Sequence, residues 1–118
     1  MKKAVHVLED DIDIGELIVF LLTEQGYDVV VFSNIASFRQ HGGQLPDLLV
    51  IDVMLPDGNG LDICREWKAD EATRYIPVLL MSAYEDYKHD AKASKADGFI
   101  SKPFDIKTFL NEVARQLS

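Results

Sequence analysis

The chain contains a single cysteine, Cys64. No intrachain disulfide can therefore form, and no cysteine-based zinc cluster can be built. A lone thiol suits a reducing compartment. Basic charge is also scarce: 12 lysines and arginines stand against 20 aspartates and glutamates, a formal net charge of −8. Lys88, Lys92 and Lys95 fall roughly on one helical face, but acids surround them. A nucleic-acid surface needs a basic patch, so direct nucleic-acid binding is not expected. Nowhere do about 18 uninterrupted apolar residues occur, the minimum for a membrane-spanning helix. The apolar run after Met1-Lys2-Lys3 meets Glu9 and Asp10 too soon for a signal peptide. Repeats and low-complexity segments are missing as well. These absences together lead to the expectation of a cytoplasmic protein without a membrane contact.

What is present is ordinary globular material: 118 residues, 47% hydrophobic and 27% charged. That length and composition fit one domain over residues 1–118, with a core that needs no metal or disulfide staple.

Short apolar runs alternate with helical spacing along the whole chain. Ala4 to Leu8 is a strand ending in Glu9-Asp10-Asp11. Ile14, Leu17, Ile18 and Leu21 follow helical periodicity, with Asp13 placed to cap the helix and Gly26 placed to stop it. Val29 to Phe32 is a second strand, and Asn34 opens a shorter helix that Gly42-Gly43 ends. Leu48 to Ile51 and Val78 to Met81 are continuous aliphatic runs, the signature of strands covered on both faces. Leu61, Ile63, Cys64 and Trp67 mark the helix between them, and Cys64 is expected in the core. Glu85 to Lys95 reads as a polar helix, Phe99-Ile100 as a short strand, and Ile106 to Leu117 as a closing amphipathic helix. Five strands alternating with five helices predict an α/β fold: a doubly wound (βα)5 unit with a five-stranded parallel sheet and right-handed crossovers. Ligands of such sheets sit beyond the carboxyl ends of the strands.

The residues at those ends are Glu9, Asp10 and Asp11 after the first strand, Asp52 after the third, Ser82 after the fourth and Lys102 after the fifth. Carboxylates converging on one rim repel one another unless a hard divalent cation such as Mg²⁺ joins them. A carboxylate, a metal, a hydroxyl and an ammonium in one crevice make a phosphoryl-transfer site, in which metal and lysine neutralise oxygens while the carboxylate attacks. Taken singly, each has a plainer reading. Acids after a strand favour a helix dipole, a serine caps a helix, and Lys102 before Pro103 fits a surface turn. His6, within the first strand, reads as a packing residue, and Gly58-Asn59-Gly60 as a turn. The combination carries the signal.

Four segments give that combination a family resemblance. They are Val7-Leu8-Glu9-Asp10-Asp11, residues 46–58 (Pro46-Asp47 through Asp52 to Asp57-Gly58), Ile76-Pro77 through Ser82-Ala83, and Ala96-Asp97-Gly98-Phe99-Ile100-Ser101-Lys102-Pro103-Phe104. In this order and spacing, the chain resembles the receiver domain of two-component response regulators over its whole length. The resemblance implies a flavodoxin-like sheet in strand order 2-1-3-4-5 and a phosphorelay switch rather than an enzyme. It implies Asp52 as phosphoacceptor, with Mg²⁺ held by Glu9, Asp10, Asp52 and the backbone carbonyl of Met54. Ser82 and Lys102 are implied to bind phosphoryl oxygens, Ser82 and Phe99 to form the switch pair, and Lys102-Pro103 to be a cis bond. Asp11 itself reads as starting the first helix or contributing negative field, without ligating metal. The phosphodonor is implied to be a sensor histidine kinase or a histidine phosphotransfer protein, with small acyl phosphates as substitutes and an unnamed output partner.

The sequence also departs from the pattern it resembles. Asp97-Gly98, Thr108 and Glu112 stand where transcription-factor receivers carry other charges, so their charge-paired dimer is not expected here. The resemblance implies that Met54 and Tyr84, each two residues beyond a site residue, stand where the family tunes phosphoryl lifetime, and their bulk predicts slow self-dephosphorylation. The first helix is unusually apolar, and Val19 and Leu22 are candidates to dock the phosphodonor. Two rival readings exist. A haloacid-dehalogenase-type phosphatase would need an aspartate where Met54 stands, and a phosphorylation-independent scaffold would usually have lost one of the site residues.

Overall fold

The computed structural model describes residues 2–118. The β-branched and aliphatic runs form β1 (Ala4–Leu8), β2 (Asp28–Phe32), β3 (Leu48–Asp52), β6 (Val78–Ser82) and β7 (Gly98–Ser101). All pair in parallel, in the order β2-β1-β3-β6-β7. Counting these five alone, the order is the expected 2-1-3-4-5. Every residue of β3 and β6 is buried, as their unbroken apolar runs require.

Side chains leave the sheet on alternate sides, so two cores form. Val5, Val7, Val50 and Met81 pack on one side under Ile18 and Leu22 of α1 (Ile12–Glu24) and Phe109 and Val113 of α5 (Ile106–Leu117). Leu8, Leu49, Ile51 and Leu80 pack on the other side. There they meet Phe38 of α2 (Ile35–Gln40), Leu61 and Cys64 of α3 (Gly60–Ala69) and Ala91 of α4 (Tyr87–Ala93).

Helix starts follow side-chain oxygens that accept from otherwise unpaired amides. Asn34 accepts from Ser37 N at 2.8 Å and opens α2 as expected. Helix α1 starts two residues earlier than its periodicity predicts, because Asp11, not Asp13, accepts from Ile14 N at 3.0 Å. Asp13 lies in the first turn, where its charge favours the dipole. Gly26 ends the turn with φ +91°, a value glycine adopts without strain.

Two expectations need correction. Helix α4 covers only Tyr87–Ala93 rather than Glu85 to Lys95: Asp86 makes no side-chain cap, and Lys95 leaves at φ 67°. Gly58-Asn59-Gly60 is not a plain turn. Gly58–Asn59 is β5, paired antiparallel with β4 (Met54–Leu55), and Asn59 caps α3 through Leu61 N at 2.7 Å. Strands of two residues have no readable periodicity.

His6 packs as expected. Its ring is buried edge-on against Phe32 at 5.5 Å and His41 at 5.2 Å. Burial, aided by the charge of His41, pulls the His6 imidazole below its ordinary pKa. The unfolded chain therefore takes up a proton first as pH falls, and the contribution of His6 to stability, complete above about pH 6.5, declines below it. His6→Phe is expected to flatten the loss of stability between about pH 6.5 and 5.5, read from urea midpoints across that range.

Candidate functional site

Three ladder extensions bring the polar residues to the carboxyl edge of the sheet. Glu9 N donates to Phe32 O at 3.0 Å, Val53 N to Met81 O at 2.9 Å, and Lys102 N to Ser82 O at 2.8 Å. Each carries the pairing one step past its strand and fixes where the next side chain starts. Lys102 also precedes a cis proline, Pro103, as the resemblance implied.

These placements converge. The Lys102 Nζ donates to Asp52 Oδ2 at 2.8 Å and to Glu9 Oε1. The second oxygens stay weakly engaged: Asp52 Oδ1 faces Met54 N at 3.4 Å, and Glu9 Oε2 accepts from Asp11 N at 3.2 Å. One carboxylate oxygen each from Glu9, Asp10 and Asp52 lies within 4.8 Å of the others. Glu9 and Asp52 are buried and Asp10 is exposed, so the cluster opens to solvent on one side.

The charges do not balance. Three carboxylates face one ammonium, which leaves two negative charges uncompensated. Burial pushes the Glu9 carboxyl up, and Lys102 offsets that only in part while Asp52 adds to it. Burial pulls Lys102 down, but its bonds to Asp52 and Glu9 outweigh this and hold it above its ordinary value, so it stays charged. The cluster offers oxygen donors only, close enough to share one ion, and is two charges short. That donor set fits a hard divalent cation of the Mg²⁺ kind.

The other predicted residues stand around this centre. Ser82, fully buried, ends β6, and its Oγ accepts from Tyr84 N at 3.0 Å. Phe99 is half-buried against the core beneath α4. Met54 and Tyr84 are exposed and share a recess with Tyr87. Asp11 is a helix cap, as expected. On α1 the picture changes: Val19 is exposed but Leu22 is fully buried, so Leu22 is withdrawn as a docking residue. Ile12 and Phe20 hold that face instead, lining with Val19 a groove of about 580 Å³ that reaches Glu9, Asp10 and Asp11.

Two contributors escaped the sequence reading. A Cβ on Gly60 would lie 2.3 Å from the Asp52 carbonyl oxygen, so only glycine lets α3 start against the end of β3. Asp57 accepts from Ile35 N and Ala36 N, both at 2.9 Å, tying the β4–β5 hairpin to the start of α2. Those amides hold its carboxyl below the usual range.

A doubly wound parallel sheet with an acidic, lysine-bridged cleft at its carboxyl edge defines a flavodoxin-like domain with a site for a hard cation. The family model of the response regulator receiver domain matches residues 5–114. The chain belongs to that family, whose members are signalling switches of two-component systems rather than classical enzymes. It is 31% identical to the DNA-binding response regulator MtrA of Mycolicibacterium paratuberculosis, over 99% of this chain and 52% of that protein. The chain thus spans about half the length of the curated relatives it matches. A putative response regulator from Chloroflexus aurantiacus shares the fold with a TM-score of 0.91 at 23% identity, over 99% of this chain and 98% of that one. The response regulator TrrA from Thermotoga maritima, solved in complex with Mg²⁺-BeF, matches with a TM-score of 0.86 at 25% identity, over 99% of this chain and 100% of that one. Among the described residues no helix is long and apolar enough to cross a membrane.

Proposed function

We propose that Asp52 accepts a phosphoryl group from a phosphohistidine on a sensor histidine kinase or phosphotransfer protein, and that the modified domain then changes its partner-binding face. The observation that carries this reading is the Lys102 bridge between Asp52 and Glu9 within a three-carboxylate cluster. Glu9, Asp10, Asp52 and the Met54 carbonyl are the residues that would hold Mg²⁺, which supplies positive charge opposite the phosphoryl oxygens.

The step itself is a displacement at phosphorus. An Asp52 carboxylate oxygen forms the new P–O bond, the P–N bond to the donor imidazole breaks, and the imidazole leaves with the electron pair and gains a proton. Lys102, held charged, neutralises a phosphoryl oxygen once its bond to Asp52 Oδ2 is exchanged. Ser82 presents its hydroxyl to a second oxygen. Its movement toward that oxygen leaves room for Phe99 to turn inward, coupling the site to the face around α4. The apolar groove along α1, open beside the cluster and rimmed by Glu9, Asp10, Asp11 and Glu16, suits a helical phosphodonor with basic residues around its histidine. The relative MtrA is a DNA-binding response regulator; in this reading an effector, not this acidic domain, supplies any such contact.

The reading is tested by intact-mass spectrometry after incubation with acetyl phosphate. A single phosphoryl adduct is expected with Mg²⁺, none in EDTA, and none for Asp52→Ala in either condition. An adduct of equal yield on Asp52→Ala would overturn it. Met54 and Tyr84, exposed on the rim, are proposed to screen the acyl phosphate from water. Replacing both with small polar residues should shorten the adduct's lifetime, followed by loss of the adduct after donor removal. An unchanged decay would remove them from that role.

A further inference from the structure

A second cluster of titratable side chains lies away from the acidic cleft, on the α2–α3 side of the sheet. His6 projects from the middle of β1, and His41 follows the end of α2. With Phe38, Leu45 and Trp67 they line a cavity of about 310 Å³ beside the segment that leads into β3. The phosphorelay reading uses neither histidine.

His6 is 6% exposed, yet no hydrogen bond joins its ring to any described residue. No fully enclosed side-chain nitrogen lacks a partner, so the free nitrogens of His6 open onto this cavity. A phenylalanine would fill the same space without placing polar atoms at the wall of the cavity. The ring is kept neutral by burial, the form in which imidazole has a lone pair to give.

His41 stands in a matching position. The two ring centroids are 5.2 Å apart with planes at 89°. A tetrahedral cation binds imidazole nitrogen at about 2.0–2.1 Å. Adding the distance from nitrogen to ring centre places two ligating rings with centroids about 5 Å apart at a tetrahedral angle. The observed 5.2 Å separation matches that spacing. Gly43 packs against the His41 ring, where a Cβ would come within 2.7 Å of Nε2, so a larger residue there would displace the ring. Arg39, which also lines the cavity, donates to both carboxylate oxygens of Glu66 at 2.9 and 3.0 Å, which reduces its repulsion.

We propose that His6 and His41 form a second cation site, specific for a nitrogen-preferring divalent ion of the Zn²⁺ class, with water completing the coordination. This site and the acidic cleft divide the metals by chemistry: oxygen donors at the cleft take the hard ion and imidazoles here take the borderline one. A bound ion would join β1 to the end of α2 and stabilise that edge of the sheet.

The test is a titration of the whole chain with Zn²⁺ alone as probe, in saturating Mg²⁺ to occupy the acidic cleft. Imidazole nitrogen resonances are followed by NMR. The chain has three histidines, and His89, exposed on α4, is the internal control. Signals of His6 and His41 are expected to move together along one saturable curve while His89 stays in place. In His41→Ala, a change at an exposed position, the His6 response should weaken by at least about tenfold, since even a partner of a metal ligand is worth that much. The amide spectrum of that variant checks that it folds. A His6 resonance unmoved by excess Zn²⁺ would overturn the proposal, as would a His6 response of unchanged affinity in His41→Ala.

Discussion

Gly60→Ala is expected to lower stability by about 3 kcal/mol and to abolish phosphoryl acceptance in the fraction that folds. The added methyl would sit 2.3 Å from the Asp52 carbonyl oxygen and 3.0 Å from its carbon, both backbone atoms of a fully buried strand. Neither can rotate away. Gly60 N also donates to Val53 O at 2.8 Å, so moving α3 outward breaks a bond in the loop that follows Asp52. Gly58→Ala provides the contrast. Its methyl would come within 2.6 Å of Ile35 Cδ1, the tip of a side chain that can choose another rotamer. Urea midpoints should separate the two variants widely, although the chemical change is identical. Equal destabilisation would mean that the close approach to Asp52 is not what limits this position.

Lys102→Met removes the only positive charge among the described residues in contact with Glu9 and Asp52, while keeping a side chain of similar length. The side chains of those carboxylates are 0% and 10% exposed. Taking one partner from a buried pair leaves charge without compensation, at a cost of about 3 kcal/mol or more. That loss is expected in EDTA at neutral pH. It should shrink when Mg²⁺ is added, because the ion takes over the neutralisation. It should shrink again as pH falls. The Glu9 carboxyl is already raised by burial, and without Lys102 it rises further. An acid whose folded pKa is raised destabilises fully above that pKa and ceases to do so as pH drops toward the unfolded value. Phosphoryl acceptance from acetyl phosphate should slow roughly a hundredfold, the usual effect of deleting one charge-stabilising donor. A variant as stable as wild type in EDTA would contradict the description of the site.

Much of this was legible in the amino-acid sequence, for reasons that differ between elements. The aliphatic runs 48–51 and 78–81 announced themselves because strands covered on both faces need no polar residues. Asn34 was legible as a cap because its side chain does one local job. Placement of Glu9, Asp10, Asp52 and Lys102 on one rim followed from parallel topology, which puts every strand's carboxyl end on the same edge. What escaped depends on contacts distant in sequence or on weak local signals. Asp57 reaches 22 residues back to Ile35, a partner no spacing rule connects to it. Asp11 and Asp13 are equally good caps in composition, and only the path of the chain leaving β1 decides between them. Leu22 looked like surplus apolar surface on α1 until it proved to be fully buried in the core that α1 forms with the sheet. The His6–His41 contact joins a strand to a loop across a cavity, and neither histidine lies in a recognisable motif.

The central claim is that the phosphoryl group is carried by the carboxylate of Asp52. Borohydride reduction of the phosphorylated chain tests it directly, since hydride cleaves an acyl phosphate and converts its aspartate to homoserine with release of phosphate. Peptide mapping should then find homoserine at position 52 and nowhere else, only in samples treated with phosphodonor and Mg²⁺. Homoserine at another acid, or a phosphoryl adduct that borohydride leaves intact, would contradict the account.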